Sequence, residues 1–313
     1  MLRLSPPRSE RLLESPQLVA SFGGEANVAI SLAQLGAQAR FITILPEPNP
    51  LSEAFLSQLR SFNVDASHIV RAHGRMGLCF IETTADQSSS RILYDREHTA
   101  LARAKPGSVD WNRALDGVTW FHLTGITPGL SAGAAELVLE ALRAARDRAI
   151  RISCDLTYRR NLWKWGKAAS EVIPEMVKLV NVGIANEEDC QRALNIHVDI
   201  EVESRSLEHE KYQELTERVL ATYPNLELLA VTLQASKAAS PTGSSACLHT
   251  GKEFHLSHRP QIARIVDGIR GTDNFAAALI YRLSQLESLA GAPKEALVQA
   301  LDFAVAASGR VEP

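Results

Sequence analysis

"IVDGIRGTDNFAAALIYRL", residues 265–283, joins an apolar strand end to a helix across a glycine-punctuated turn. From Gly271 onward the apolar residues recur at helical spacing. A helix N-terminus presents N–H groups without intrahelical partners and a partial positive charge, so such a turn can hold an anion such as phosphate. Asp273 then falls in the first helical turn. A carboxylate there can take a proton from a bound hydroxyl, or it can simply cap the helix and complement its dipole, as Thr272 also could. The local sequence leaves both roles open.

Upstream of this stretch, short apolar runs alternate with amphipathic helices. ARFITIL (39–45) precedes LSEAFLSQLRSF (51–62), whose apolar residues have helical spacing. WFHL (120–123) precedes a helix in which Ala134, Leu137, Val138, Ala141, Leu142 and Ala145 form one stripe opposite Glu136, Glu140 and Arg143. Residues 150–156, 182–185 and 228–233 add further apolar strands. Strands separated by helices predict an α/β fold with a mostly parallel central sheet flanked by helices. Residues 69–71, 78–82 and 91–95 follow one another without helices and predict a small antiparallel sheet. Together with the N-terminal residues it is expected to form a β lid (1–24 and 68–100) on an α/β core (25–67 and 101–313). A lid over a crevice suits an enzyme that must exclude water. Residues 271–289 and 293–308 read as two helices rich in alanine and leucine, and QASKAASPTGSS (234–245) as a low-complexity loop.

Composition narrows the partners. With 313 residues, 45% hydrophobic and 22% charged, the chain has the make-up of an ordinary globular protein, long enough for one large α/β domain plus an accessory element. Its formal net charge of −3 comes from interspersed acids and bases, so no basic stripe is available for a nucleic-acid backbone. Cys79, Cys154, Cys190 and Cys247 lie far apart with no C-x-x-C pair and read as buried thiols of a reducing cytosol. No run approaches the ~18 apolar residues of a membrane span. The opening MLRLSPPRSERLLESP lacks the apolar core of a signal peptide, so a cytoplasmic location without a membrane partner is expected.

The pattern Asp267-x-x-Arg270-Gly271-Thr272-Asp273-x-Phe275-Ala276 resembles the C-terminal signature of the ribokinase-like (PfkB-type) carbohydrate kinases, D-x-x-G-[AG]-G-D-x-F. Further motifs resemble that family in order: LRLSPP (2–7), GGEANVA (23–29), LPEPNPLSEAF (45–55), RMGLCFIE (75–82), YDREHTA (94–100), DLTYRRNLW (155–163), ANEEDC (185–190), VTLQ (231–234) and IYRL (280–283). Within the family, the set is most similar to the 2-keto-3-deoxygluconate kinases. The resemblance implies a ribokinase-like fold and a kinase that uses ATP and Mg2+. Asp273 would be the base, with Arg270, Gly271 and Thr272 forming the anion hole. Gly23, Gly24, Asn27, Tyr94, Arg96 and Arg159 would bind the sugar acid. Thr157, Asn186, Thr232 and Gln234 would face the nucleotide, and Asp189 would act on magnesium indirectly through water. Copies of the chain would associate, if at all, through the β lid.

The residue types suit these roles. Gly23 and Gly24 let a ligand approach the backbone, and Asn27 can both donate and accept. Tyr94 and Arg96 alternate on one strand and so share a face. Two guanidinium groups match a carboxylate, although ordinary surface arginines would look the same in sequence. Asn186-Glu187-Glu188-Asp189 opens a helix after a strand, where its acids either organise magnesium hydration or complement the helix dipole.

The departures concern the loops that would touch ligands. Arg270 and Thr272 stand where the family has glycines, and a side chain at a positive-φ position costs ~1 kcal/mol or more. Asp189 replaces the Glu of N-x-x-E, Thr157 the Asn of D-x-N-Y-R, Cys79 the Tyr of G-x-Y-F, and Gln234 the Arg after V-T-L. Ser52 replaces the Gly after N-P-L, and GGAEAN is shortened to GGEAN. The family's first core strand and its Gly-Glu pair would precede Met1, and its C-terminal segment beyond Ala307 is unmatched. A sheet without that strand would expose an edge or a slot. The expectation is an ATP:sugar-acid phosphotransferase acting on the terminal hydroxyl of 2-keto-3-deoxygluconate. Its alternative is a sugar-acid binding or regulatory homologue that has lost productive ATP binding.

Overall fold

The computed structural model describes residues 1–7, 10–83, 90–198, 209–233, 245–257 and 268–309. The chain divides into two compact units. One comprises Met1–Ala114, Pro128–Leu137 and Arg160–Trp165; the other comprises Leu115–Thr127, Val138–Arg159 and Gly166–Pro313.

The first unit contains β1 (Leu2–Ser5), β2 (Val19–Phe22), α1 (Glu25–Gln34), β3 (Ile44–Pro46), α2 (Pro50–Ser61), β4 (Val70–Ala72), β5 (Leu78–Thr83), β6 (Ser90–Asp95) and the short α3 (Trp111–Ala114). A four-stranded sheet runs in the order β2-β1-β5-β6. Its outer pairings are antiparallel, as expected of the lid, but the central β1–β5 pairing is parallel. Residues 69–71 do not join this sheet. They lie in and beside β4, which pairs in parallel with β3 through Ile44↔Val70 and Pro46↔Ala72. The physical reason is burial: Ile44 is enclosed with Ala100, Ala104 and Leu137, and Val70 and Ala72 pack against that cluster. With α2 between them, β3 and β4 form a strand–helix–strand unit. Asn49 caps α2, accepting from the N–H groups of Leu51 and Ser52 at 3.1 and 3.2 Å, and Pro50 follows at the first helical position. The fully buried Ser52 hydroxyl donates to the Asn49 carbonyl and accepts from Arg71 Nη1 at 2.7 Å, which gives the serine at this departure from the family glycine a structural task.

The second unit contains β7 (Trp120–Thr124), most of α4 (Ala132–Arg146), β8 (Arg151–Asp155), α5 (Ala169–Val177), β9 (Val182–Asn186), α6 (Glu187–Leu194), α7 (His209–Thr222), β10 (Leu228–Leu233), β11 (Ser245–His249), β12 (Phe254–Leu256), α8 (Gly268–Leu283) and α9 (Lys294–Ser308). Its six-stranded sheet runs β12-β11-β10-β9-β8-β7, parallel from β7 to β10 and antiparallel at β11 and β12. Parallel strands covered on both faces need apolar side chains on both, and β10 meets this with Leu228 to Val231 fully buried. Helix α8 is buried on every side from Phe275 to Ile280. Burying Phe275 alone contributes ~2 kcal/mol.

At the antiparallel end, the Nδ1 of His249 lies 2.9 Å from the Thr216 hydroxyl, and its ring meets Phe254 edge-on. Burial lowers the imidazole's pKa from its ordinary value; Glu217 opposes the shift and His255 adds to it. The unfolded chain therefore binds this proton more tightly than the folded one, so this contribution to stability is lost as pH falls below ~6.5. Denaturant unfolding between pH 5 and 8 should show that loss, and His249→Gln should remove it.

Among the described residues no helix is long and apolar enough to cross a membrane. All four cysteines are free and buried.

Candidate functional site

In the first unit the expected ligand residues cluster at one end of the four-stranded sheet. Gly23 follows β2 and Arg96 follows β6, and the register Phe22↔Leu2↔Leu78↔Asp95 puts both at the same end. Gly24 is the N-cap of α1 at φ +89°, a conformation that favours glycine, and Asn27 is the third residue of that helix. Tyr94 pairs across the sheet with Cys79, which pairs in turn with Arg3, so these three share a face.

Arg96 is half-buried, and its Nε is enclosed without a hydrogen-bond partner among the described residues. Burial lowers its pKa from the ordinary guanidinium value, while Glu25, Tyr94 and Cys79 act in the opposite sense. Its side chain lies across Gly77, where an added Cβ would come 3.5 Å from Nε and 3.6 Å from Cγ. Glu25 and Gly77 were not singled out in the sequence. Their only signal was their place within the matched motifs.

In the second unit the nucleotide-side candidates gather at the C-terminal ends of parallel strands, where open α/β sheets form their crevices. Asp155 ends β8, Asn186 ends β9, and Thr232 on β10 is in register with Asn186. Thr157 is buried, and its N–H and hydroxyl both donate to Asp155 Oδ1, the N–H at 3.0 Å. The Thr232 hydroxyl donates to the Ala185 carbonyl at 3.4 Å. Asn186 caps α6, its Oδ1 accepting from Asp189 N–H at 2.8 Å while Asp189 Oδ2 accepts from Asn186 N–H at 3.0 Å. Asp189 Oδ1 accepts from Tyr158 N–H at 2.7 Å. Burial, and then repulsion by Asp155, push the Asp189 carboxyl up to about 7, against the pull of the amides of Tyr158 and Asn186 and of Arg159. Arg159 is half-buried and turns its Nη1 back onto the Tyr158 carbonyl at 2.9 Å. Gly125 closes this corner: a Cβ there would lie 2.9 Å from the Leu156 carbonyl oxygen and 3.0 Å from that of Thr157. Among the described residues no group of three or more His, Cys, Asp or Glu could hold a metal ion.

Helix α8 begins at Gly268, three residues earlier than expected. Asp273 is thus its sixth residue, in the second turn rather than the first. In an α-helix the amides of Thr272 and Asp273 go to the carbonyls four residues back, so the open amides of this N-terminus lie before Gly271. Gly271, Thr272 and Asp273 are half-buried, and a Cβ on Gly271 would approach the Ser308 carbonyl oxygen of α9 to 3.1 Å. That glycine therefore also serves the packing of the last two helices. Arg270 lies in the first turn of α8. Asp267 and Gln234 lie outside the described residues.

The chain is similar to known proteins in sequence and fold. A 2-dehydro-3-deoxygalactonokinase of Haloferax volcanii is 30% identical over 200 residues, 64% of this chain. The match spans 62% of that relative, less than two thirds of its length. Among solved structures, the 2-dehydro-3-deoxygluconokinase of Thermotoga maritima is 37% identical with a TM-score of 0.85, covering 99% of this chain and 90% of that one. A PfkB family carbohydrate kinase of Listeria grayi is 28% identical with a TM-score of 0.81 and the same coverage of both chains. Residues 3–311 match the profile described as pfkB family carbohydrate kinase, and the chain belongs to that family.

Proposed function

We propose that this protein transfers the γ-phosphoryl group of ATP to the terminal hydroxyl of a sugar acid, with 2-keto-3-deoxygluconate as the preferred acceptor. The observation that carries the acidic substrate is Arg96, a partly desolvated guanidinium whose enclosed Nε has no hydrogen-bond partner among the described residues. Such a group calls for an anion, and a carboxylate matches its fork of donors. Arg159 offers a second guanidinium, and Asn27 and Tyr94 offer hydrogen bonds to sugar hydroxyls. Two relatives that act on 2-dehydro-3-deoxy sugar acids support the same substrate class.

Bound MgATP supplies the phosphoryl group. Asp273 accepts the proton of the attacking hydroxyl, and the N-terminus of α8 with Arg270 offsets the negative charge that develops. Thr157, Asn186, Thr232 and Gln234 take the nucleotide side. Magnesium keeps several waters in such sites, so outer carboxylates suit it better than a protein cage. In the first turn of α6, Glu187 and Glu188 have the chemistry for that, whereas both oxygens of the buried Asp189 already accept from main-chain amides.

The test is ADP release with a panel of sugar acids and their neutral counterparts. A 2-keto-3-deoxy acid should show the highest kcat/KM, with neutral sugars ~10²-fold lower because they would leave the enclosed Arg96 Nε without an anionic partner. Equal efficiency on neutral sugars would overturn the acidic substrate.

A second reading, a sugar-acid binding or regulatory protein without productive ATP binding, is favoured by the early start of α8, which spends the amides of Thr272 and Asp273 inside the helix. Calorimetry separates the two: sugar-acid binding without MgATP binding supports the second, and MgATP binding removes it.

A further inference from the structure

Two buried carboxylates hold consecutive residues of the segment that carries Arg159. Asp155 accepts from the N–H and hydroxyl of Thr157, which turns the chain as it leaves β8. Asp189 accepts from the N–H of the next residue, Tyr158, at 2.7 Å. The Tyr158 carbonyl in turn receives Arg159 Nη1 at 2.9 Å. The Tyr158 main chain is therefore fixed on one side by Asp189 and fixes the Arg159 guanidinium on the other. Asp189 and Arg159 also attract each other electrostatically. Asp155 and Asp189 are 4% and 3% exposed, so neither grip is diluted by solvent.

We propose that Asp189 is a positioning residue for Arg159, acting through the Tyr158 main chain, while Asp155 holds the residue before it. The inference rests on the reading that Arg159 receives the carboxylate of the sugar acid. It also gives a reason for the shorter acid at this position. Asp189 uses one oxygen on the Asn186 amide at 3.0 Å and the other on the Tyr158 amide at 2.7 Å. An added methylene would carry the carboxylate ~1.5 Å further out. Glutamate could keep the helix cap, but it could not hold both amides from the same place. In this chain the acid thus couples the nucleotide-side strand end at Asn186 to the segment that presents Arg159.

The test is a double-mutant cycle on the full chain. Calorimetric dissociation constants for 2-keto-3-deoxygluconate and for MgATP are measured for the unaltered chain, Asp189→Asn and Asp189→Glu, each with Arg159 intact and with Arg159→Met. With Arg159 present, both substitutions should weaken sugar-acid binding ~10-fold and leave MgATP within ~2-fold. With Arg159→Met, the same substitutions should change sugar-acid binding less than ~2-fold. Equal weakening in the two backgrounds would reveal a general structural role and overturn the inference. So would unchanged sugar-acid affinity in Asp189→Glu, or a loss confined to MgATP, which would point to magnesium instead. If the unaltered chain binds no sugar acid, the reading beneath the inference fails and the inference falls with it.

Discussion

Asp273→Asn should lower turnover of the sugar acid by roughly 10²- to 10⁴-fold while leaving sugar-acid and MgATP affinities within ~3-fold. Asparagine has the shape of aspartate and keeps an acceptor oxygen, but it cannot take up the hydroxyl proton as the oxygen attacks phosphorus. Asp273 is half-buried in the second turn of α8, just before the run from Phe275 to Ile280 that is buried on all sides. The side chain is therefore carried on a rigid element, which favours its use in positioning and proton transfer. The competing role, a carboxylate that merely complements the helix dipole, makes a different prediction. It would cost ~0.3–1 kcal/mol of stability and leave the rate alone. ADP release together with thermal unfolding distinguishes the two. Turnover within tenfold of the unaltered chain, with a lower Tm, would remove Asp273 as the base.

The α/β core was legible in the sequence because its signals are strong and local. A run such as Leu228 to Leu233, apolar at nearly every position, suits a strand covered on both faces, and the stripe from Ala134 to Ala145 needs a single helical face. The failures came where the partner of a short element is set by distant residues. Residues 69–71 alternate well enough for a hairpin, but their place beside β3 depends on Ile44 and the cluster around Ala100 and Leu137. The start of α8 was misplaced because Gly268 and Gly271 both punctuate the turn. The second glycine instead answers the close approach of the Ser308 carbonyl.

At the candidate site, the alternation of strand and helix already put Asn186 at a strand end, and Asp155-x-Thr157 carries the short-range pattern of an Asx turn. The grip of Asp189 on Tyr158 could not be read, because it joins β9 and α6 to the end of β8 across a large sequence separation. Nor could the enclosure of Arg96. It depends on the bare backbone of Gly77, just before β5, and a glycine there reads equally well as a turn residue.

That enclosure leads to the second large effect. Arg96→Met should raise KM for the sugar acid ~10²-fold, with a smaller fall in kcat, and should leave the apo protein's Tm unchanged or higher. Methionine fills a similar volume and lies as easily across Gly77, but it brings no charge that burial would penalise. In the unliganded protein Arg96 bears a desolvation cost, and its Nε has no hydrogen bond to offset it among the described residues. Replacing such a group with an apolar one of similar size is often neutral or stabilising. Glu25, the carboxylate that would lose Arg96's electrostatic support, is half-buried, so leaving it behind costs less than it would in a closed core. A structural arginine would behave oppositely, because its removal would lower Tm and disturb all substrates alike. The decisive comparison is therefore between two readouts on one variant: calorimetric or kinetic affinity for the acid, and thermal unfolding without ligand. Lost affinity with preserved or increased stability marks Arg96 as a group held ready for an anion at the expense of the apo fold. A Tm several degrees lower, with KM for the acid unchanged, would return it to the scaffold and take the acidic substrate's main support with it.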